Sequence, residues 1–249
     1  MARPTYQRVA DTLRQRIIAG DYVPGDRLPS RQDLAAEFEV GLRVAADAVQ
    51  QLVAEGYVVS RTGSGSYVRP RPAMRRLTRS WYREARGGSP FRADMAAQAV
   101  RGGWDSSSES STAPKAITQR LAIEPEAAVM CTTYTFTGDD EPVMLSTSWE
   151  PLEITGGTEI VLPEEGAHAG RGVVERMRAI GQHIVQAQEI VNARPADDKE
   201  ADRLGISRGT VVLVIQRTYF TAERPVETAD IVVPTDRYEL AYMIPVGVD

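Results

Sequence analysis

The residues of this 249-residue chain that could do chemistry are mostly arginines and rings, with few catalytic side chains. Its two histidines, His168 and His183, stand fifteen residues apart, and no cluster of Cys, Asp or Glu completes the ligand set a metal site needs. Cys131 is the only cysteine and has no adjacent base to activate it, and paired-carboxylate, phosphate-loop and nucleophile motifs are missing. Catalysis and a bound cofactor are therefore not implied. Two other constellations remain. The first eighty-six residues carry fifteen arginines, multidentate donors suited to phosphates and base edges. Tyr134, Phe136, Ser146, Ser148, Arg217 and Glu227 sit on strand-like segments further on, as rings, hydroxyls and one pair of opposite charges.

The charge is divided between the two halves. Residues 1–86 hold 15 arginines against 9 acids, a net of +6, whereas residues 87–249 hold 14 basic and 25 acidic groups, a net of −11. A basic module fused to an acidic one of different task explains that asymmetry, and double-stranded DNA is the partner such a basic module implies. The length suits two domains, and 42% apolar content suffices for two modest cores. No apolar run approaches the ~18 residues of a membrane helix, and the polar start MARPTYQRVAD is not a signal peptide, so a soluble cytoplasmic protein is expected.

Periodicity supplies the elements that would position the basic side chains. Tyr6, Val9, Ala10, Leu13, Ile17 and Ile18 recur at helical spacing, predicting a helix over 6–19 with Thr5 as cap and Gly20 as stop. Pro24-Gly25 turns the chain, Ser30 caps a short second helix with Leu34, Ala35 and Phe38 inward, and a third helix spans 41–55. Two strand-like flanks then surround RTGSGS, a loop of small residues. Three helices and such a hairpin read as a winged helix-turn-helix. The third helix would enter the major groove, while the glycines Gly63 and Gly65 let the hairpin approach the minor-groove edge closely, with Arg61 and Arg69 near phosphates.

PGDRLPSRQDLAAEFEV, followed by AADAVQQLVAEGYVVSRTGSGSYV, resembles the winged helix of GntR-type bacterial transcription regulators over residues 5–69. The lead-in and hairpin match the family pattern closely. Where that family has S-R-x-T-V-R, this chain has Gly41-Leu42-Arg43-Val44-Ala45-Ala46, and Arg31-Gln32 replaces the usual Glu-Arg. The resemblance implies DNA contacts from Ser30, Arg31, Gln32, Arg43, Arg61, Thr62, Gly63 and Gly65, with Arg43 the best base reader. The departures change the expected operator, not the fold.

Residues 70–89 contain Pro70, Pro72 and several arginines and read as a basic linker, although Leu77, Trp81 and Tyr82 could equally dock it onto a domain. GGWDSSSESSTAP at 102–114 reads as a flexible loop. From Ile117 the pattern becomes strand-rich: a hairpin over 129–137 and 143–149, a helix over 172–179, a strand near 184–193, a short helix over 197–204, strands over 211–220 and 226–233, and a last one over 240–244. That order suggests an α+β domain with a mostly antiparallel sheet over residues 90–249.

DDEPVMLSTSWEP, GVVERMRAIG, EADRLGISRGTVVLVIQRTYF and ERPVETADIVVPTDRYEL together resemble the UTRA domain of the HutC branch of GntR regulators. The resemblance implies a fold related to chorismate lyase, a small-molecule effector pocket and a homodimer. By alternation, Met130, Thr132, Tyr134 and Phe136 share one strand face, and Met144, Ser146 and Ser148 one face of its partner. In sugar-phosphate-sensing relatives, arginines stand at the positions of Tyr134 and Phe136, and a glutamate commonly at that of Ser146. Rings cannot make charge-assisted bonds to phosphate, so the expected effector is not a sugar phosphate but a less charged, partly apolar metabolite. Tyr134 and Phe136 could also be ordinary core residues, and Arg217 could pair with Glu227 instead of meeting a ligand. Asp236-Arg237-Tyr238 is expected to fix the last turn.

Overall fold

A computed structural model describes residues 4–61, 63–69, 75–79 and 89–244. Two compact units emerge: Met1–Met74 with Pro195–Ala201 and Ile206–Thr210, and the remainder of the chain.

In the first unit, helices α1 (Thr5–Ala19), α2 (Arg31–Glu37) and α3 (Leu42–Ala54) precede the antiparallel hairpin β1 (Val58–Arg61) and β2 (Gly65–Val68). Val9, Leu13, Leu34, Ala45, Val49, Leu52, Val58 and Val68 share one core. Helix α1 begins one residue earlier than its apolar spacing suggests, because Pro4 takes the cap position and its carbonyl accepts from the amides of Gln7 and Arg8. Thr5 is therefore inside the helix, not its cap. Ser30 does cap α2, in a reciprocal box with Asp33. Gly20 stops α1 in the left-handed conformation, where a glycine has no Cβ to strain.

The second unit is built on a six-stranded sheet of order β4-β5-β6-β9-β8-β7, antiparallel at the four interfaces from β4 through β8. Its strands are β4 (Gly102–Thr112), β5 (Ala128–Gly138), β6 (Glu141–Pro151), β7 (Gln186–Pro195), β8 (Val211–Phe220) and β9 (Pro225–Pro234). Helices α4 (Pro90–Ala97), α5 (Lys115–Leu121), α6 (Leu152–Thr155), α7 (Val173–Ala179) and α8 (Asp198–Leu204) lie between them in sequence. The register puts Tyr134 opposite Ser146, Ser146 opposite Ile231, and Ile231 opposite Ile215, so these four share one sheet face. Phe91 and Met95 of α4 pack in the core that includes Met144, Ile215 and Ile231.

Three expectations need correction. Residues 102–112 form β4 and not a loop, since pairing with β5 along its whole length satisfies the backbone of an edge strand that exposes its serines. Within the stretch expected as a linker, Arg75–Thr78 forms strand β3, parallel to β10 (Tyr238–Ala241), and buries Leu77 in the second core. That pairing also fixes β10 two residues earlier than the 240–244 expected. Trp81 and Tyr82 lie outside the described residues. Arg237 pairs with Asp236, and its carbonyl accepts from the Arg75 amide, which ties the last turn to β3.

A buried ion pair pins α7 to the sheet. Arg176 donates to Glu150 Oε1 at 2.8 Å and Oε2 at 2.9 Å, and to the Ile160 carbonyl at 2.5 Å. Burial pushes the Glu150 carboxyl above its ordinary range, although Arg176 pulls the other way. Breaking one side of such a pair leaves an uncompensated charge. Arg176→Ala should thus lower the unfolding free energy by about 3–5 kcal/mol, read as the urea midpoint with an unchanged slope; a loss below about 1 kcal/mol would contradict the pairing.

Candidate functional site

The basic surface comes from the first unit. Arg31 and Gln32 occupy the first turn of α2, and Arg43 that of α3; all three are exposed. Arg61 is exposed at the end of β1, with its guanidinium carbon 4.9 Å from the centre of the Tyr67 ring. Gly63 (φ 75°) and Gly65 (φ 114°) adopt backbone conformations that other residues rarely take, and a Cβ on Gly65 would lie 2.8 Å from Arg27 Nε. Thr62 lies outside the described residues.

The structure adds residues that motif matching passed over. Arg27, in the lead-in, forms a bridge with Tyr67 beside the hairpin tip. Leu42, Asp47 and Gln50 are exposed on α3 with Arg43, at one- to seven-residue offsets that place Asp47 and Gln50 on the same face as Arg43. Helical spacing alone could have found them. Gln can bond adenine in the major groove, and Leu42 offers an apolar contact for a thymine methyl.

The second constellation converges on one cavity. Tyr134, Phe136, Ser146, Ser148, Arg217 and Glu227 all line a part-open cavity of about 110 Å³ on one face of the sheet. Phe91 of α4, Trp104 of β4, Val173 of α7 and the loop residues Glu164 and Gly170 complete its walls. Tyr134 and Phe136 stack with centroids 5.4 Å apart at 18°, while Phe91 tilts onto Phe136 at 4.8 Å. Both rings line the cavity, and Phe136 also packs against the second core.

The polar wall is more specific. Glu227 is fully buried, and its Oε1 accepts from Ser148 Oγ at 2.7 Å and from Arg217 Nη2 at 2.9 Å. The Arg217–Glu227 pair raised as an alternative is thus present, and it lies in the cavity wall. Arg217 also lies over the Tyr219 ring at 4.3 Å. Tyr134 donates its hydroxyl to Glu164 Oε1 at 3.2 Å. Burial, with the field of Glu164 added, holds that phenol well above its usual pKa, so it stays neutral.

Arg79, one residue past β3, also reaches the cavity and pairs through two contacts with Glu189 of β7. Burial alone would raise the Glu189 carboxyl, but the Arg79 hydrogen bond and charge hold it below its ordinary value. Sequence reading gave no sign of Arg79 and Trp104, which come from segments read as linker and loop, or of Glu164, which lies between the hairpin ending at 149 and the helix starting at 172. Elsewhere, burial pushes the Cys131 thiol up and Glu109 adds to it, leaving it less nucleophilic than a free cysteine. His168 is tied to Glu159 at 3.1 Å.

A winged helix-turn-helix and a sheet-borne cavity in a separate unit together define a DNA-binding regulator with a ligand-type domain. Comparisons with known proteins agree. The model of the bacterial regulatory proteins of the gntR family matches residues 5–68, and that of the UTRA domain matches residues 106–239. The chain belongs to the GntR family of transcription regulators, in the HutC-like branch that carries a C-terminal UTRA domain. A solved structure described as a GntR-family transcriptional regulator is 51% identical, with a TM-score of 0.80, covering 98% of this chain and 99% of that one. The HTH-type transcriptional regulator SCO4628 of Streptomyces coelicolor is 28% identical over 88% of this chain and 84% of its own. The mannosyl-D-glycerate transport/metabolism system repressor MngR of Escherichia coli is 39% identical over 27% of this chain and 28% of its own.

Arg43 provides the sharpest check on the DNA surface. Arg43→Ala should weaken binding to a specific site by about 1–3 kcal/mol while changing non-specific binding much less, measured by fluorescence anisotropy at matched salt. Equal losses on both DNAs would make Arg43 a phosphate contact.

Proposed function

We propose that the chain is a ligand-responsive transcription regulator, acting as a repressor, whose operator affinity is set by a small molecule bound in the cavity of the second unit. The observation that carries this reading is the convergence of six polar and aromatic side chains from β5, β6, β8 and β9 on one cavity. A domain serving only to dimerise has no need of a buried carboxylate in such a wall. An enzymatic reading finds little support, given the elevated Cys131 thiol and the engagement of His168.

The two cavity guanidiniums, Arg79 and Arg217, are each already matched by a carboxylate. That favours an effector other than a sugar phosphate, in line with rings at positions 134 and 136. The repressor named among the relatives supports the direction of control. The operator would be an inverted repeat read by a homodimer, with α3 of each protomer in a major groove and the hairpin tip against the backbone. Exposed Ile190 and Val191 on edge strand β7 are consistent with a second copy covering that edge. A ligand that favours one conformation of the second unit needs only ~1–3 kcal/mol of coupling to change operator affinity 5–150-fold.

Selection of fragments of the source genome on the purified protein at moderate salt, followed by sequencing, tests the reading. An enriched inverted repeat beside a transport or catabolic operon is expected. Retention of unrelated fragments with a steep salt dependence would mean that α3 does not read bases.

A further inference from the structure

The cavity wall carries one unmet acceptor. Glu227 is wholly buried, its Oε1 takes two hydrogen bonds, and its Oε2 has no partner among the described residues. Leaving a buried carboxylate oxygen unpaired costs about 1–3 kcal/mol or more, so an arriving donor would be well rewarded there. The cavity that Glu227 helps to line is otherwise aromatic, with Phe91, Trp104, Tyr134 and Phe136 in its walls. Its cations are spoken for: Arg79 by Glu189 and Arg217 by Glu227. Glu164 adds a further carboxylate to the lining. An anionic ligand would meet acids without an unengaged guanidinium among the described lining residues, at a desolvation cost nothing offsets.

Size narrows the choice further. A part-open pocket of about 110 Å³ is somewhat smaller than the ~150 Å³ apolar cavity that accepts benzene, which limits the part of a ligand it can bury to about one ring.

From these observations, and resting on the effector reading above, we infer that the ligand is a planar, single-ring compound, neutral or cationic, that donates an N–H or O–H to Glu227 Oε2 and lays its ring against the Tyr134–Phe136 stack. Phosphates and carboxylates are excluded from its buried part. The Arg217–Ser148 clamp on Oε1 would hold the carboxylate in place while the ligand engages the other oxygen.

Calorimetric titration of the full chain with five probes tests this: benzamide and benzamidine, which present donors; benzoate, the anion of the same shape; toluene, without a donor; and glucose 6-phosphate. Both donors should bind at least about tenfold tighter than benzoate or toluene, the size of one charge-assisted hydrogen bond. Glu227→Gln keeps a carbonyl for Ser148 and Arg217 but puts an N–H group where Oε2 stood. It should cost benzamide and benzamidine about tenfold and leave toluene unaffected. Should that variant fail to fold, the ranking of probes on the parent protein decides alone. Preferred binding of benzoate or glucose 6-phosphate would overturn the donor class while leaving an effector cavity standing. Silence from all five would overturn the effector reading and the donor class together.

Discussion

Charges buried against a sheet face must be paired, and that requirement shapes the second unit. Glu150 is matched by Arg176, Glu227 by Arg217, and Glu189 by Arg79. The first and third join elements separated in sequence, whereas Arg217 and Glu227 stand on the neighbouring strands β8 and β9. Arg176 fastens α7 to β6 and, through the Ile160 carbonyl, steadies the loop that leads to Glu164. Arg79 fastens the residue after β3 to β7. Roof and floor are held apart by aromatic side chains, so a space remains between them. The energetic logic is asymmetric: such pairs add little net stability, but removing one partner is expensive, which makes the arrangement specific. The cavity is what this pairing leaves, with one carboxylate oxygen unmatched.

The first unit obeys a simpler rule. Most of its apolar stripe is used in one core, so its exposed polar side chains are left for a partner. The reciprocal Ser30–Asp33 cap sets where α2 begins, and Gly41 sets where α3 begins, which places Arg31, Gln32 and Arg43 at helix starts. Positive φ at Gly63 and Gly65 gives the hairpin tip a shape no bulky residue would tolerate, with Arg27 packed against it. These local constraints explain how a chain of net charge −5 can still present a DNA-binding surface: Arg31 and Arg43 stand where helices begin and Arg61 where the hairpin turns, within a half of the chain that carries a net +6.

Much of this was legible in the sequence because the signals were local. Helical spacing marked α1 to α3, and period-two alternation put Tyr134, Phe136, Ser146 and Ser148 on the faces that line the cavity. The strand Val211–Phe220 was read with its observed bounds. What failed were elements whose reason lies far away in the chain. The serines of β4 look like a loop until β5 pairs with them, and β3 has no local mark of a strand because its partner, β10, is more than 150 residues later. Helices α4 and α5 are only 8 and 7 residues long, too short for periodicity to declare them. Hence the roof of the cavity was hidden while its floor was not: Phe91, Trp104, Glu164 and Arg79 come from those segments or from loops.

The central claim is that occupancy of the cavity controls DNA binding. The most direct measurement is operator affinity of the full chain with and without a saturating ligand, compared between the parent and Phe136→Arg, which puts a charge into the aromatic wall of the second unit's cavity. The account predicts a 5–150-fold ligand effect on the parent, and none on the variant, whose affinity without ligand is unchanged. A variant that still responds fully, or a parent whose operator affinity ignores a ligand bound in the cavity, would contradict it.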